Sequence, residues 1–342
     1  MQALELAVAH IKALCEIPSP TGFTKRAEQY LINALAEMGY TPHSTPKGTV
    51  ICNIGGEGKP LLLSAHVDTL GGMVRSVKST GRLRYTKIGG YNDNAIENEN
   101  CIVHTRDGRT YSGTVQTTKA SAHVYGDTTD MKRSDETLEI VLDAIVRSAD
   151  DVQALGIETG DFISWDARTV ITESGFIKSR HLDDKASSGI LLALAKMVKE
   201  GEVTLARSVY LMFTVYEEVG HGASNYLPKQ IDDMIAVDMG CVGDDLACDE
   251  TMVSICAKDS SGPFNYDLTN ELVALAKDNN LQYALDIYPH YSSDTAAALR
   301  SGMEARHALV GTGVFASHGY ERTHKQGVEN TLKLLAAFVQ KG

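Results

Sequence analysis

The sequence predicts an α/β protein: a mostly parallel mixed sheet with helices on both faces, interrupted by an inserted β-rich domain. Three observations carry this expectation. Near both ends of the chain, almost continuous apolar strand runs alternate with helix patterns, as strands buried on both faces do. From residue 70 to 169 the pattern changes to short β-branched or aromatic runs punctuated by glycine and Asp-Gly, which signals hairpins. Finally, 342 residues exceed what one core usually holds, so two domains are expected, 1–69 with 170–342 and 70–169.

The elements follow in order. QALELAVAHIKAL, residues 2–14, places apolar side chains at helical spacing, and EIPSPTG stops it with two prolines and a glycine. KRAEQYLINALAEM, residues 25–38, is a second helix ended by Gly39. GTVICNIGG and KPLLLSAHVD read as strands. In the insertion, GGMVRSV, GRLRYTKIGG, ENCIVHTRDGRTYSGTVQTT and DFISWDARTVI read as strands and hairpins, with one helix over about 135–154. The first pattern resumes near Val170. SSGILLALAKMVKEG is a helix, and SVYLMFTVYEE and IDDMIAVDMG are strands. NYDLTNELVALAKDNN and SDTAAALRSG are helices, QYALDIYP and ARHALVGTGV strands, and GVENTLKLLAAFVQ the closing helix.

Composition narrows the function. The formal charge is −12, from 44 acids and 32 bases, which argues against a nucleic-acid partner. No run reaches the ~18 apolar residues of a membrane span, and the N-terminus has no signal-peptide pattern. The six cysteines, 15, 52, 101, 241, 248 and 256, form no CxxC pair and are expected to be reduced thiols in a cytoplasmic protein.

Chemistry-bearing residues gather at the predicted strand ends, where ligands of such sheets bind. LLLSAHVD ends in His66 and Asp68, LMFTVYEEVG in Glu217 and Glu218, MIAVDMG in Asp238 and ALVGTGVFASHG in His318, while RHLDDKASSG sets Asp183 and Asp184 before a helix. Each has a plainer reading. His66 and Asp68 could be solvated strand-end residues, Asp183 a helix N-terminal acid, the Glu pair the start of a loop, Asp238 a turn residue and His318 a core histidine. The conjunction favours another answer: several carboxylates converging at one sheet end repel one another unless something cationic sits between them. A pair of divalent metals is the simplest solution, and mixed His and carboxylate ligands suit zinc, cobalt or manganese. If Glu218 faces a metal, its neighbour Glu217 is left unligated, in the position a general base needs.

The order HxD, D, EE, D, H is that of co-catalytic dizinc peptidases, and it also fits related deacylases and carboxypeptidases. About 117 residues separate His66 from Asp183, and with that gap the chain resembles the M42 aminopeptidases, the glutamyl, leucyl and tetrahedral-aminopeptidase group. IPSPTG, AHVDTLGGMV, LGIETGDFISWD, HLDDKASSG, EEVGHGAS, SSDTAAAL and GVENTLKLLAAF all look like stations of that family. The resemblance implies two divalent metals, zinc foremost, with His66, Asp183, Glu218, Asp238 and His318 as ligands, and Asp183 bridging. It further implies Glu217 as catalytic base and Asp68 as the residue orienting His66. The expected activity is release of N-terminal residues from short peptides with a free N-terminus. The resemblance also implies that the inserted domain is barrel-like, supplies no ligand and mediates homo-oligomerisation, built on dimers and commonly reaching a dodecamer.

Three departures stand out: HVDT where the family has HTDE or HMDE, DDK where it has DNR, and SHGYERTH where its last ligand precedes Ser-Pro. His324 competes with His318 as the last ligand, and His221 is either part of the site's surroundings or merely exposed. The rival functions are a dizinc deacylase or carboxypeptidase-like amidohydrolase, a glycosidase using Glu217 with a second carboxylate, and a non-catalytic assembly or binding protein.

Overall fold

The chain opens with α1 (Ala3–Cys15) and α2 (Lys25–Glu37). The buried residues of α1, Ala7, Val8, Ile11, Leu14 and Cys15, recur every three or four positions and so form one face. Strands β1 (His43–Ser44), β2 (Val50–Gly55) and β3 (Leu61–His66) follow. All six residues of β3 are buried, which is why LLLSAH shows no alternation. The computed structural model describes residues 2–224 and 230–341. It divides into two units, 1–68 with 168–342, and 69–167.

The second unit is a closed barrel. Its strands are β4 (Gly71–Val77), β5 (Leu83–Ile88), β6 (Asn100–His104), β7 (Thr110–Thr117), β8 (Leu138–Leu142) and, after a short helix α3 (Ala149–Ala154), β9 (Phe162–Trp165). They run in the order β4-β5-β8-β7-β6-β9, and β9 pairs back onto β4. Tyr85 and Trp165 meet edge to face inside it, with centroids 5.8 Å apart. The helix expected over about 135–154 is not there. Leu138, Ile140 and Leu142 are buried while Glu139 and Val141 are half-buried, a period of two that makes β8. Only Ala149–Ala154 is helical, started by the Ser148 hydroxyl accepting the Asp151 N–H.

The first unit resumes with β10 (Val170–Ile171), β11 (Phe176–Ser179), α4 (Leu182–Lys199), β12 (Val209–Thr214), β13 (Asp233–Val237) and β14 (Gly240–Cys241). Next come β15 (Val253–Asp259), β16 (Gly262–Pro263), α5 (Tyr266–Asp278), β17 (Tyr283–Ile287) and α6 (Asp294–Arg300). The last three elements are β18 (Arg306–Val314), β19 (Glu321–His324) and α7 (Lys325–Val339). The main sheet has the order β1-β2-β12-β3-β13-β18-β15-β16, with β14 on β18 and β17 on β15. Its centre, β12-β3-β13-β18, is parallel throughout. Antiparallel β2 and β15 flank that centre, so the sheet is mixed. Residues Val253–Asp259, which the sequence pattern leaves unassigned, form β15.

Helices pack on both faces. Leu62, Met212 and Met234 cluster with Ala298 of α6, and alternation turns Leu61 and Leu63 to the opposite face, where α4 lies. There α4 closes tightly on α1 at Gly189: a Cβ at this position would stand 2.6 Å from the Ile11 side chain and 2.9 Å from its backbone nitrogen. At the amino ends of the parallel strands, buried Asp233 accepts from Arg207 at 2.7 Å and from Arg306 at 2.6 and 2.9 Å. The carboxyl ends of β3, β12, β13 and β18 therefore share one edge, and the loops leaving that edge hold the acids and histidines singled out above. Among the described residues no helix is long and apolar enough to cross a membrane.

Candidate metal and catalytic site

His66 is the last residue of β3 and is 1% exposed. Its main chain is tied on both sides, the N–H donating to Asp184 Oδ2 at 3.2 Å and the carbonyl accepting from the Ser188 hydroxyl at 3.0 Å. Its Nδ1–H donates to the backbone carbonyl of Asp68 at 2.9 Å, which turns Nε2 toward Asp183 Oδ1, 3.1 Å away. The Asp68 main chain thus accepts the ring proton, and the Asp68 carboxylate, expected to orient His66, stands beside the same nitrogen. That carboxylate lies 3.6 Å from Nδ1 and is already engaged. It accepts the Thr21 hydroxyl at 2.7 Å, the Glu217 N–H at 3.1 Å and the Glu218 N–H at 3.3 Å.

Asp183 and Asp184 sit in the first turn of α4, yet their φ/ψ values are non-helical, so the regular helix begins after them. Asp183 presents one oxygen to each histidine: Oδ1 to His66 and Oδ2 to His318 Nε2 at 3.2 Å. Beyond β12 the chain turns at Tyr216, whose φ is 83°, into a single 3-10 turn over Glu217–Val219. This turn sends the two glutamates to different histidines. Glu217 Oε2 lies 3.8 Å from His66 Nε2, and Glu218 Oε2 lies 3.6 Å from His318 Nε2. Asp238 follows β13, is 4% exposed and accepts the N–H of Met239 at 2.7 Å.

Two groups result. His66, Asp183 and Asp238 form one; Asp183, Glu218 and His318 form the other. In each, one ligand atom per residue lies within 4.8 Å of the others. Asp183 belongs to both, while Glu217 belongs to neither and lies beside the first. His324 is elsewhere: its Nε2 faces the Ser174 carbonyl at 2.8 Å, and its Nδ1 caps α7 by accepting the Gln326 N–H at 3.0 Å. His221 is exposed and stacks on Tyr216, with centroids 5.0 Å apart.

The electrostatics are those of a site built around positive charge. Burial alone would lower the pKa of His66, but Asp183, Glu217, Asp238 and Asp68 together hold it well above the usual value. Burial likewise works to raise Asp183, yet hydrogen bonds from both histidines hold it below the carboxylate range. Burial, with Asp183 next to it, pushes Asp238 up to about 7, and burial with neighbouring acids pushes Glu217 and Glu218 well up. Glu218 Oε1 is buried without a hydrogen-bond partner. Carboxylates so crowded, one of them with a bare buried oxygen, fit a divalent cation in each group, and the His and carboxylate donor set suits zinc, cobalt or manganese.

Two residues take parts at the site that the sequence pattern does not assign. Asp184 holds the N–H of His66 as described. Glu321, at the start of β19 and 1% exposed, accepts the N–H of His318 with Oε1 at 2.9 Å and the N–H of Asp183 with Oε2 at 3.1 Å. Its sequence context, HGYERTH, gives little signal, because both partners are main-chain groups.

A mixed α/β sheet with two such groups and a free acid at one edge has the parts of a metal-dependent hydrolase. The chain belongs to the M42 glutamyl aminopeptidase family, whose model matches residues 48–334; it is thus a peptidase that releases N-terminal residues. It is 43% identical over 342 residues to the "Putative aminopeptidase YhfE" of Bacillus subtilis (strain 168), covering 99% of each chain. Aminopeptidase APDkam598 from the archaeon Desulfurococcus kamchatkensis shares the fold with a TM-score of 0.88 at 21% identity, over 99% of this chain and 96% of that one. The TET1 peptidase of Pyrococcus horikoshii, which can assemble into a tetrahedron or a large octahedral shell, does so with a TM-score of 0.85 at 21% identity, over 98% and 100%.

Proposed function

We propose that this aminopeptidase works with two divalent cations, zinc foremost, one held by His66, Asp183 and Asp238 and the other by Asp183, Glu218 and His318. The single observation that carries the reading is the shared Asp183, whose two oxygens face two histidines at 3.1 and 3.2 Å. When bound, such cations supply Lewis acidity toward the scissile carbonyl and make a nearby water more acidic. The chain's own residues do the rest. Glu217 accepts a proton from the water that attacks the carbonyl carbon, and later delivers it to the leaving nitrogen. Asp68 holds the Glu217 and Glu218 main chain through their N–H groups. The surrounding carboxylates favour a substrate whose N-terminus is a free, charged amine.

Short peptides are the proposed substrates, and an enclosed homo-oligomer in the cytoplasm is the proposed working form. Neither ligand group draws on residues 69–167, so the barrel is free for assembly. It carries outward apolar side chains, Ile145 at 92% and Val124 at 70% exposed, of the kind that assembly covers. All six cysteines are free thiols, in keeping with a reducing compartment.

The test is a paired assay. Aminoacyl-nitroanilides and their N-acetylated counterparts are offered to the protein with EDTA, then with Zn²⁺, Co²⁺ or Mn²⁺ restored. Cleavage of the free-amine compounds alone, lost to EDTA and regained with metal, is expected. Cleavage of the acetylated compounds would instead favour the deacylase reading, and indifference to EDTA the glycosidase one. Sedimentation at only the 37.0 kDa of one chain would remove the assembly proposal.

A further inference from the structure

The geometry points to Glu321 as the positioning residue that assembles the second cation position, that of Asp183, Glu218 and His318. This rests on the two-cation reading above. One buried carboxylate joins two stretches of main chain 135 residues apart, accepting from His318 N–H at 2.9 Å and from Asp183 N–H at 3.1 Å. It is itself fixed at the head of β19, where Glu321 lies opposite Ser179 in the ladder with β11.

The second position needs such a clamp and the first does not. His66 ends a fully buried strand and is held through its N–H, its carbonyl and its Nδ1. His318 lies in the turn between β18 and β19, 37% of its side chain is exposed, and its φ is 62°. A non-glycine residue at that φ is unfavourable unless its surroundings hold it there. The Glu321 carboxylate does so while aligning the amide of the shared acid. A glutamine here keeps the shape but replaces one acceptor oxygen by an NH₂ that faces an N–H. One of the two anchors then opens, and the His318 ligand loses its register with Asp183.

The experiment uses the full chain, stripped with chelator and titrated with ZnCl₂ alone, and reads zinc per chain and the affinity of each class of site. Wild type, Glu321→Gln, Glu321→Ala and His318→Ala are compared, with circular dichroism as the check on folding. The expected result is two zinc ions in wild type. In Glu321→Gln the tight class stays within about threefold and the other weakens roughly 10- to 100-fold, the usual effect of removing a ligand's support. Raising free zinc refills the weakened class in Glu321→Gln but not in His318→Ala. The proposal is overturned if Glu321→Gln binds two zinc ions with wild-type affinities, or if both classes weaken equally. Should Glu321→Ala not fold, the isosteric Gln variant decides alone, and its own failure to fold would assign Glu321 to the fold instead and overturn the proposal. A wild-type chain that binds fewer than two zinc ions removes the two-cation reading, and the proposal with it.

Discussion

The carboxylate of Asp68 accepts the backbone N–H of Glu217 at 3.1 Å, joining the end of β3 to the turn after β12. Its other oxygen accepts the N–H of Glu218 at 3.3 Å and the Thr21 hydroxyl at 2.7 Å. The acid thus orients the proposed base more directly than it orients His66. Asp68→Asn turns an amide NH₂ toward one of these donors, and a roughly 10- to 100-fold loss of kcat is expected, with KM little changed. Steady-state kinetics on a nitroanilide checks this; an unchanged kcat would return Asp68 to a purely structural role.

Glu217 lies 3.8 Å from His66 Nε2 and belongs to neither ligand group. Glu217→Gln is expected to bind both metals and fold normally while losing about 10²–10⁴-fold or more in kcat. Metal content and turnover measured on one sample separate the two effects. Retained turnover would mean that another group carries the proton.

His318 and His324 make opposite predictions. His318→Ala is expected to lose one cation and most activity, because its Nε2 faces Asp183 and Glu218. His324→Ala is expected to keep both, at a stability cost of about 1 kcal/mol for the lost cap of α7. Zinc analysis with thermal denaturation distinguishes them, and loss of zinc in the His324 variant would reverse the assignment.

How far the sequence reveals this site depends on what each residue binds. Strand ends are legible because LLLSAH, LMFT and MIAV are buried runs, so the first polar residue after each marks the sheet's edge. The strands β4 to β7 are legible from their hairpin pattern, although Leu138–Leu142 is hidden beside the helix-like Ala149–Ala154. Glu321, Asp184 and the carboxylate of Asp68 all hold backbone N–H groups, and such partners leave no residue pattern. Strand β15 is not legible because Val253–Asp259 mixes serine, lysine and aspartate into its apolar run while packing within the sheet, which patterning alone does not show.

Stability of the metal-free protein is expected to fall as pH rises. Burial raises Asp238 from 3.8 to about 7 and Glu321 from 4.5 to about 8, so the folded state keeps protons that the unfolded chain releases. Their contribution is complete below the unfolded values and is lost as pH climbs through the folded ones. His66, also raised, acts in the same direction, whereas lowered Asp183 loses its contribution only in acid. Thermal melts in EDTA should therefore show a lower Tm at pH 8.5 than at pH 6, with the gain on adding zinc larger at the higher pH. A Tm in EDTA that rises over that range would contradict the account.

In the two-cation reading one aspartate, Asp183, serves both ions. Crystals of the zinc-loaded protein, measured on both sides of the zinc absorption edge, test it most directly. Two anomalous peaks are expected, one among His66, Asp183 and Asp238 and one among Asp183, Glu218 and His318, with Asp183 between them. A single peak, or peaks that leave Asp183 unligated, would contradict that reading.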